Sequence, residues 1–245
     1  MSDNIHYNSQ ELSKYFSKNR IKWDDLYVSE KNVLNYVNPL ETAETLDIGC
    51  GCAGLGIALK QKFNLTSYTG VEINKEASQK AKIINKNAKI INGDFLEIDF
   101  ETQFDLITSL SCIDWNIEFD AMLTKAWSLL KNNGTFVISL RLTEDKGTNN
   151  IEESYQYINY EGELSGEKAP YVVLNHKIWL NKIKELKHLG RVYAYGYYGK
   201  PSLTAVTCYE KICFAVFAIS KLNKKGSSFS ETKFNLNLPI YIQNM

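Results

Sequence analysis

Apolar positions in this chain fall in short blocks whose spacing alternates between two periods. Residues 45–48, 67–72, 88–92, 104–111 and 135–140 are compact apolar or β-branched runs bounded by Gly, Asn, Asp or Ser, the pattern of buried strands. Between them, the residues after the glycines at 49–56 and the stretches 74–87 and 118–130 carry helical spacing. Strand and helix in alternation predict an α/β fold around a parallel sheet. Further on, residues 176–188 read as a helix behind Asn175 as N-cap, and 191–198 and 211–220 read as two strands dense in aromatic and β-branched residues. Ahead of the first strand, 11–16 and 32–37 have helical spacing, and Ser29 with Glu30 marks a helix start.

The chemistry concentrates where the first strand meets its helix, in Leu46-Asp47-Ile48-Gly49-Cys50-Gly51-Cys52-Ala53-Gly54-Leu55-Gly56. Gly49 and Gly51 permit positive φ and leave no Cβ between backbone and ligand, while Gly54 and Gly56 let the helix sit close to the strand. The N–H groups opening that helix favour an anionic or carboxylate-bearing ligand. The glycine spacing also satisfies the pattern of nicotinamide and flavin proteins, so the flanks must decide. Asp47, two residues before the first glycine, would repel a pyrophosphate but suits a sulfonium or ammonium.

These residues resemble the first motif of the class I S-adenosylmethionine-dependent methyltransferases of small-molecule type, and three later landmarks extend the resemblance. Residues 67–72 end in Glu72 about twenty positions past the loop, where a carboxylate can take both ribose hydroxyls. Gly93-Asp94-Phe95 is similar to the family's adenine-side signature, and the 131–140 stretch to its turn-glycine-strand element before strand five. The resemblance implies a Rossmann-like, seven-stranded, mostly parallel sheet with helices on both faces and an antiparallel last strand. It also implies S-adenosyl-L-methionine as cofactor, held by Asp47, Gly49, Cys50, Gly51, Glu72 and Ile73, by Asp94 and Phe95 at the base, by Ser109 and Leu110 after strand four, and by Tyr27 from the cap. Asp47 would meet the cofactor's ammonium directly, through water, or by organising the loop.

Composition changes this picture little. A chain of 245 residues with 44% hydrophobic content suits one α/β domain with decorations. Its parts would be a helical cap at 1–43, a cofactor core at 44–141, an acceptor-side insertion at 142–175, sheet completion at 176–220 and a tail at 221–245. The 28 basic and 28 acidic residues balance, so no global field attracts nucleic acid, and the Lys221–Lys225 cluster is local. Five cysteines without a Cys-x-x-Cys pair argue against a disulfide framework. The longest apolar run, 212–219, is too short to span a bilayer, and a cytoplasmic protein is expected, with a homodimer compatible. No metal-ligand cluster is evident.

Acceptor chemistry is expected outside the core. Tyr27 and Trp23 share a face if their segment turns helically, and they either help close the site or pack the cap onto the sheet. Asp114-Trp115-Asn116 follows strand four without the prolines of the nitrogen-methylating signature, so that mode loses support. The insertion 143–175, with Tyr155, Tyr157, Tyr160 and Tyr171, lies where open α/β sheets build ligand contacts, and is the acceptor wall, an oligomerisation flap or a mobile loop. His176, one of three histidines, is the first candidate for a general base or else a capping residue, with Asp114 the next. The tail motif 238–242 either docks on the body or extends to a partner.

The expected activity is methyl transfer to a small polar acceptor such as a sugar, an amine or a biosynthetic intermediate, with release of S-adenosylhomocysteine. RNA or protein methylation is the alternative within the fold. A nicotinamide-dependent oxidoreductase or a non-catalytic cofactor-binding protein is the alternative outside it.

Overall fold

A computed structural model describes residues 12–18, 20–159, 162–223 and 233–243. Helices α1 (Leu12–Phe16) and α2 (Val28–Val37) precede the alternating core β1 (Thr45–Ile48), α3 (Gly54–Phe63), β2 (Tyr68–Glu72), α4 (Lys75–Ile84), β3 (Lys89–Asn92), β4 (Phe104–Ser109), α5 (Phe119–Leu129) and β5 (Leu130–Thr143). Then come β6 (Tyr155–Ile158), β7 (Glu167–Pro170), β8 (Leu174–Asn175), α6 (His176–Lys184), β9 (Leu189–Gly199), β10 (Ala205–Val206), β11 (Ile212–Lys221), β12 (Phe234–Asn237) and α7 (Ile240–Gln243).

The main sheet runs β12-β9-β11-β5-β4-β1-β2-β3, with β8 beside the end of β5. From β3 to β5 all neighbours are parallel, and β11 is antiparallel to both β5 and β9. The expected seven strands are therefore β3, β2, β1, β4, β5, β11 and β9, and the sheet reaches nine because β12 pairs parallel to β9 and β8 extends β5. The tail thus docks on the body, with Leu238 and Ile242 buried in the core.

Strands in the middle are buried along their whole length, as a parallel sheet covered on both faces requires. Alternation along β5 and β11 divides the two faces. Phe136, Ile138, Phe217 and Ile219 meet Met122, Ala126, Trp179 and Ile183 of α5 and α6. Val137, Val216 and Ala218 face the opposite way, toward Val33 and Leu34 of α2 and Leu55 and Leu59 of α3. At about 25 cal/mol per Å2 of apolar surface, each large side chain so enclosed contributes on the order of 2 kcal/mol.

Several boundaries differ from the sequence reading for local reasons. The α2 helix begins at Val28, one residue before the Ser29 start and four before the 32–37 stretch, because Glu30 Oε2 accepts the Tyr27 N–H at 3.0 Å and so satisfies an opening donor. It stops at Asn38, which takes the left-handed conformation at φ 44°. The α6 helix ends at Lys184 rather than 188, and Asn175 caps it as expected, its Oδ1 accepting from Lys177 N and Ile178 N. The insertion is not a loop. Its β6 and β7 form an antiparallel hairpin, and β10 adds to β6 to complete a three-stranded sheet apart from the main one. Tyr160 lies outside the described residues.

Candidate active site

The loop after β1 is held open by its backbone. Gly49 adopts φ +72°, and a Cβ there would stand 2.4 Å from Cys112 Sγ, so only glycine fits. Gly49 N and Cys50 N both donate to Val71 O at 2.9 Å, tying the loop to the end of β2. Ala53, at φ 59°, precedes α3 without a side-chain cap, which leaves the first N–H groups of that helix to the cavity.

Two buried carboxylates flank this turn. Glu72 accepts from Gly51 N through Oε2 and from Asn74 N through Oε1, both at 2.8 Å. Burial pushes its carboxyl up to about 7, and the two N–H donors pull the other way. Asp47 accepts from Thr108 Oγ1 at 2.7 Å and from the Tyr68 hydroxyl. Burial raises it to about 6 against those hydrogen bonds and the nearby Arg20 guanidinium. Two carboxylates out of water are stable here only because donors already point at them, and both would favour a cationic ligand group alongside.

A cavity of about 410 Å3 starts at this loop. Ile73, Asp94, Phe95 and Leu110 line its cofactor end together with Asp47, Gly49, Cys50, Gly51 and Glu72. Phe16, Arg20 and Tyr27 border it from the cap, while Ser111, Cys112, Trp115 and Asn116 border it from the segment after β4. The far wall is the small sheet, through Gln156, Tyr157, Ile158 and Asn159, with Ser202 and Thr204 beside β10. Gln156 Oε1 is buried without a hydrogen-bond partner among the described residues.

Ten of the eleven cofactor candidates line this cavity; Ser109 does not. Its side chain is buried, and its Oγ accepts from Ile113 N at 3.3 Å to shape the turn after β4. Both candidate bases also lie elsewhere. His176 opens α6, the helix that packs Trp179 and Ile183 into the core, so the imidazole is buried with Nδ1 3.1 Å from Thr143 O. Asp114 pairs through Oδ2 with Arg141 Nη2 at 3.1 Å, and that guanidinium also donates to Asp114 O and Val172 O while stacking on Trp115 and Tyr171. Burial raises the Asp114 carboxyl, with Arg141 opposing. Trp23 and Tyr27 do not share a face: Trp23 packs edge-on against Phe63, and Tyr27 stays at the cavity mouth, 57% exposed.

Arg20, Phe16, Gln156, Ser202 and Thr204 line the cavity without any signal of their own in the sequence reading. Each reaches the site through tertiary approach of cap or small sheet. Among the described residues no group of three or more His, Cys, Asp or Glu could hold a metal ion, and no helix is long and apolar enough to cross a membrane.

A parallel sheet with an antiparallel hairpin outside β5, a glycine turn after β1 and an acid closing β2 define a Rossmann-like methyltransferase. The chain belongs to the methyltransferase-domain family, which it matches over residues 41–191. It is 29% identical to the malonyl-[acyl-carrier protein] O-methyltransferase of Priestia megaterium over 142 residues, 54% of this chain and 52% of that one. It is 25% identical to the enzyme of the same description from Haemophilus influenzae over 156 residues, 59% of this chain and 60% of the relative. The chain thus spans about half the length of the curated relatives it matches. Solved structures that share the fold include the following two. The O-methyltransferase of a trans-AT PKS multienzyme of Brevibacillus brevis, with S-adenosyl-L-homocysteine, has a TM-score of 0.55 at 14% identity, covering 79% of this chain and 72% of that one. The phosphoethanolamine N-methyltransferase 2 of Haemonchus contortus, with phosphomonomethylethanolamine and S-adenosylhomocysteine, has a TM-score of 0.55 at 15% identity, covering 78% and 52%.

Proposed function

We propose that this protein transfers a methyl group from S-adenosylmethionine to a small polar acceptor seated between the segment 111–116 and the small sheet. The observation that carries this reading is one continuous cavity whose glycine-loop end has buried carboxylates and whose other end has neutral polar side chains. The cofactor's sulfonium supplies an electrophilic methyl carbon. Glu72 keeps lone pairs beyond those facing Gly51 and Asn74 and takes the ribose hydroxyls, while Asp94 and Phe95 receive the base. Asp47 faces the loop as a fixed negative charge, which suits the ammonium and sulfonium of the donor.

The acceptor end lacks an evident proton-taking group among its described residues. Tyr157 stays protonated near neutrality, its hydroxyl raised by its hydrogen bond with Tyr155, so it offers no phenolate to take a proton. Burial pushes the Cys112 thiol far up, and Trp115, Asn116, Gln156, Asn159, Ser202 and Thr204 take no proton near neutrality. The acceptor therefore arrives with its nucleophilic atom already unprotonated, and the protein contributes orientation and exclusion of water. A carboxylate oxygen meets that demand, in keeping with relatives described as malonyl-[acyl-carrier protein] O-methyltransferases.

The test is incubation with methyl-labelled S-adenosylmethionine and malonyl-[acyl-carrier protein], small carboxylic acids, sugars and amines, alongside cellular RNA and protein. Label is expected in a small-molecule or carrier-bound methyl ester, released as methanol in alkali. Label confined to RNA or to ordinary protein would overturn the reading.

A further inference from the structure

Among the described residues lining the cavity, Arg20 is the one cationic side chain. It belongs to the cap, outside residues 41–191 where the family is matched. Its backbone sits at φ 53°, a region costly to a residue with a Cβ and maintained only where the surroundings impose it. The surroundings do so through Glu30, which is 1% exposed. Nε of Arg20 lies 3.2 Å from each Glu30 oxygen, Nη2 lies 2.6 Å from Oε1, and Nη2 also donates to Ser111 Oγ at 2.9 Å. The guanidinium further lies 5.6 Å from the centre of the Tyr27 ring.

This arrangement uses one edge of the guanidinium and leaves the other. A guanidinium has five N–H donors in a rigid plane, and Nη1 of Arg20 makes no hydrogen bond to any described residue. Glu30 is itself held by the Tyr27 N–H at the start of α2, so the fork is locked from behind. The charge stands at the glycine-loop end rather than beside the small sheet: it acts on Asp47 and bonds Ser111 just after β4. A methyl donor with a methionine tail brings an ammonium and a carboxylate to that end, and the carboxylate would be repelled by Asp47 and Glu72 without a cation of its own.

We propose that Arg20 is the clamp for the cofactor's methionine carboxylate, with Glu30 as the positioning residue that presents its free Nη1 edge. The inference rests on the S-adenosylmethionine reading above and assigns one group of that ligand to one side chain. Arg20 is a cofactor-binding residue in this account, and removing it weakens the donor while sparing the adenosine contacts.

The probes are S-adenosylhomocysteine and S-adenosyl-3-thiopropylamine, which lacks only the carboxylate, titrated calorimetrically into the full chain. Wild type is expected to bind the first at least tenfold more tightly than the second. Arg20→Ala should lower affinity for S-adenosylhomocysteine about ten- to a hundredfold, as loss of charge-assisted bonds implies, and change affinity for the decarboxylated probe less than twofold. Arg20→Lys, which keeps the charge but not the fork, should fall between. Equal losses for both probes in Arg20→Ala would overturn the clamp in favour of a structural role, and so would equal affinities in wild type, a comparison that needs no variant to fold. Binding of neither probe by wild type would instead remove the methyltransferase reading itself.

Discussion

The glycine-loop end of the cavity and its small-sheet end are built by opposite means. At the loop end, the backbone makes the site: Gly49 has no room for a Cβ, Gly51 N holds Glu72, and two buried carboxylates sit in a ring of donors. At the other end, neutral side chains project from a hairpin of the insertion and from the segment around Thr204, and Gln156 Oε1 has no hydrogen-bond partner among the described residues. The first end is preorganised for one ligand, while the second consists of replaceable side chains on a separate scaffold. A shared core with a variable wall is how one fold serves many acceptors.

The largest effect is expected where the two ends are joined. Arg141 ties β5 to the segment carrying Asp114 and to Val172 of the insertion. Arg141→Met should cost about 3–5 kcal/mol by leaving the buried Asp114 carboxylate unpaired. Urea denaturation checks this, and a loss below about 1 kcal/mol would show that the ends are not coupled through this residue.

A somewhat smaller effect concerns pH. Glu72 and Asp47 are raised in the folded protein to about 7 and about 6, above their ordinary values of 4.5 and 3.8. The folded state then binds more protons than the unfolded state between those values, so the stability they contribute is present below about pH 4 and lost as pH rises through 6 to 7. The ligand-free protein should be less stable at pH 8 than at pH 5. A shift from 4.5 to about 7 corresponds to on the order of 3 kcal/mol. Glu72→Gln should flatten that slope whatever its offset, and an unchanged slope in thermal denaturation would contradict the burial argument.

Next, Gly49→Ala sets a Cβ against Cys112 Sγ at positive φ, for a loss of about 1–3 kcal/mol in stability and at least tenfold in S-adenosylhomocysteine affinity. Normal binding in that variant would mean that the loop relaxes freely. The smallest effect is expected from His176→Ala, which removes one buried hydrogen bond of a residue that does not line the cavity and should cost about 1–2 kcal/mol in stability with turnover unchanged. A hundredfold fall in turnover by the folded variant would bring His176 back as a base.

What could be read from sequence divides along the same line. The loop end was legible because strand, glycine turn, helix and acid are consecutive or one unit apart, so local rules suffice: β1, β2 and β4 and the places of Glu72 and Asp94 follow from them. The other end depends on which segments approach in three dimensions. Nothing local to Arg20 reveals that Glu30 will hold it, and nothing in residues 202–204 announces that β10 will pair with β6. His176 misled because a histidine at a helix start signals a cap or a base equally, and only the burial of α6 against the sheet decides. Asp114 misled for the complementary reason, since its partner Arg141 is 27 residues away.

Calorimetric titration of S-adenosylhomocysteine into wild type and Glu72→Ala tests the central claim most directly, because Glu72 links the loop's N–H groups to the expected ribose position. The account predicts binding by wild type and a loss of roughly 1–3 kcal/mol in the variant, about fivefold to more than a hundredfold in Kd. Equal affinity in the two proteins would contradict it.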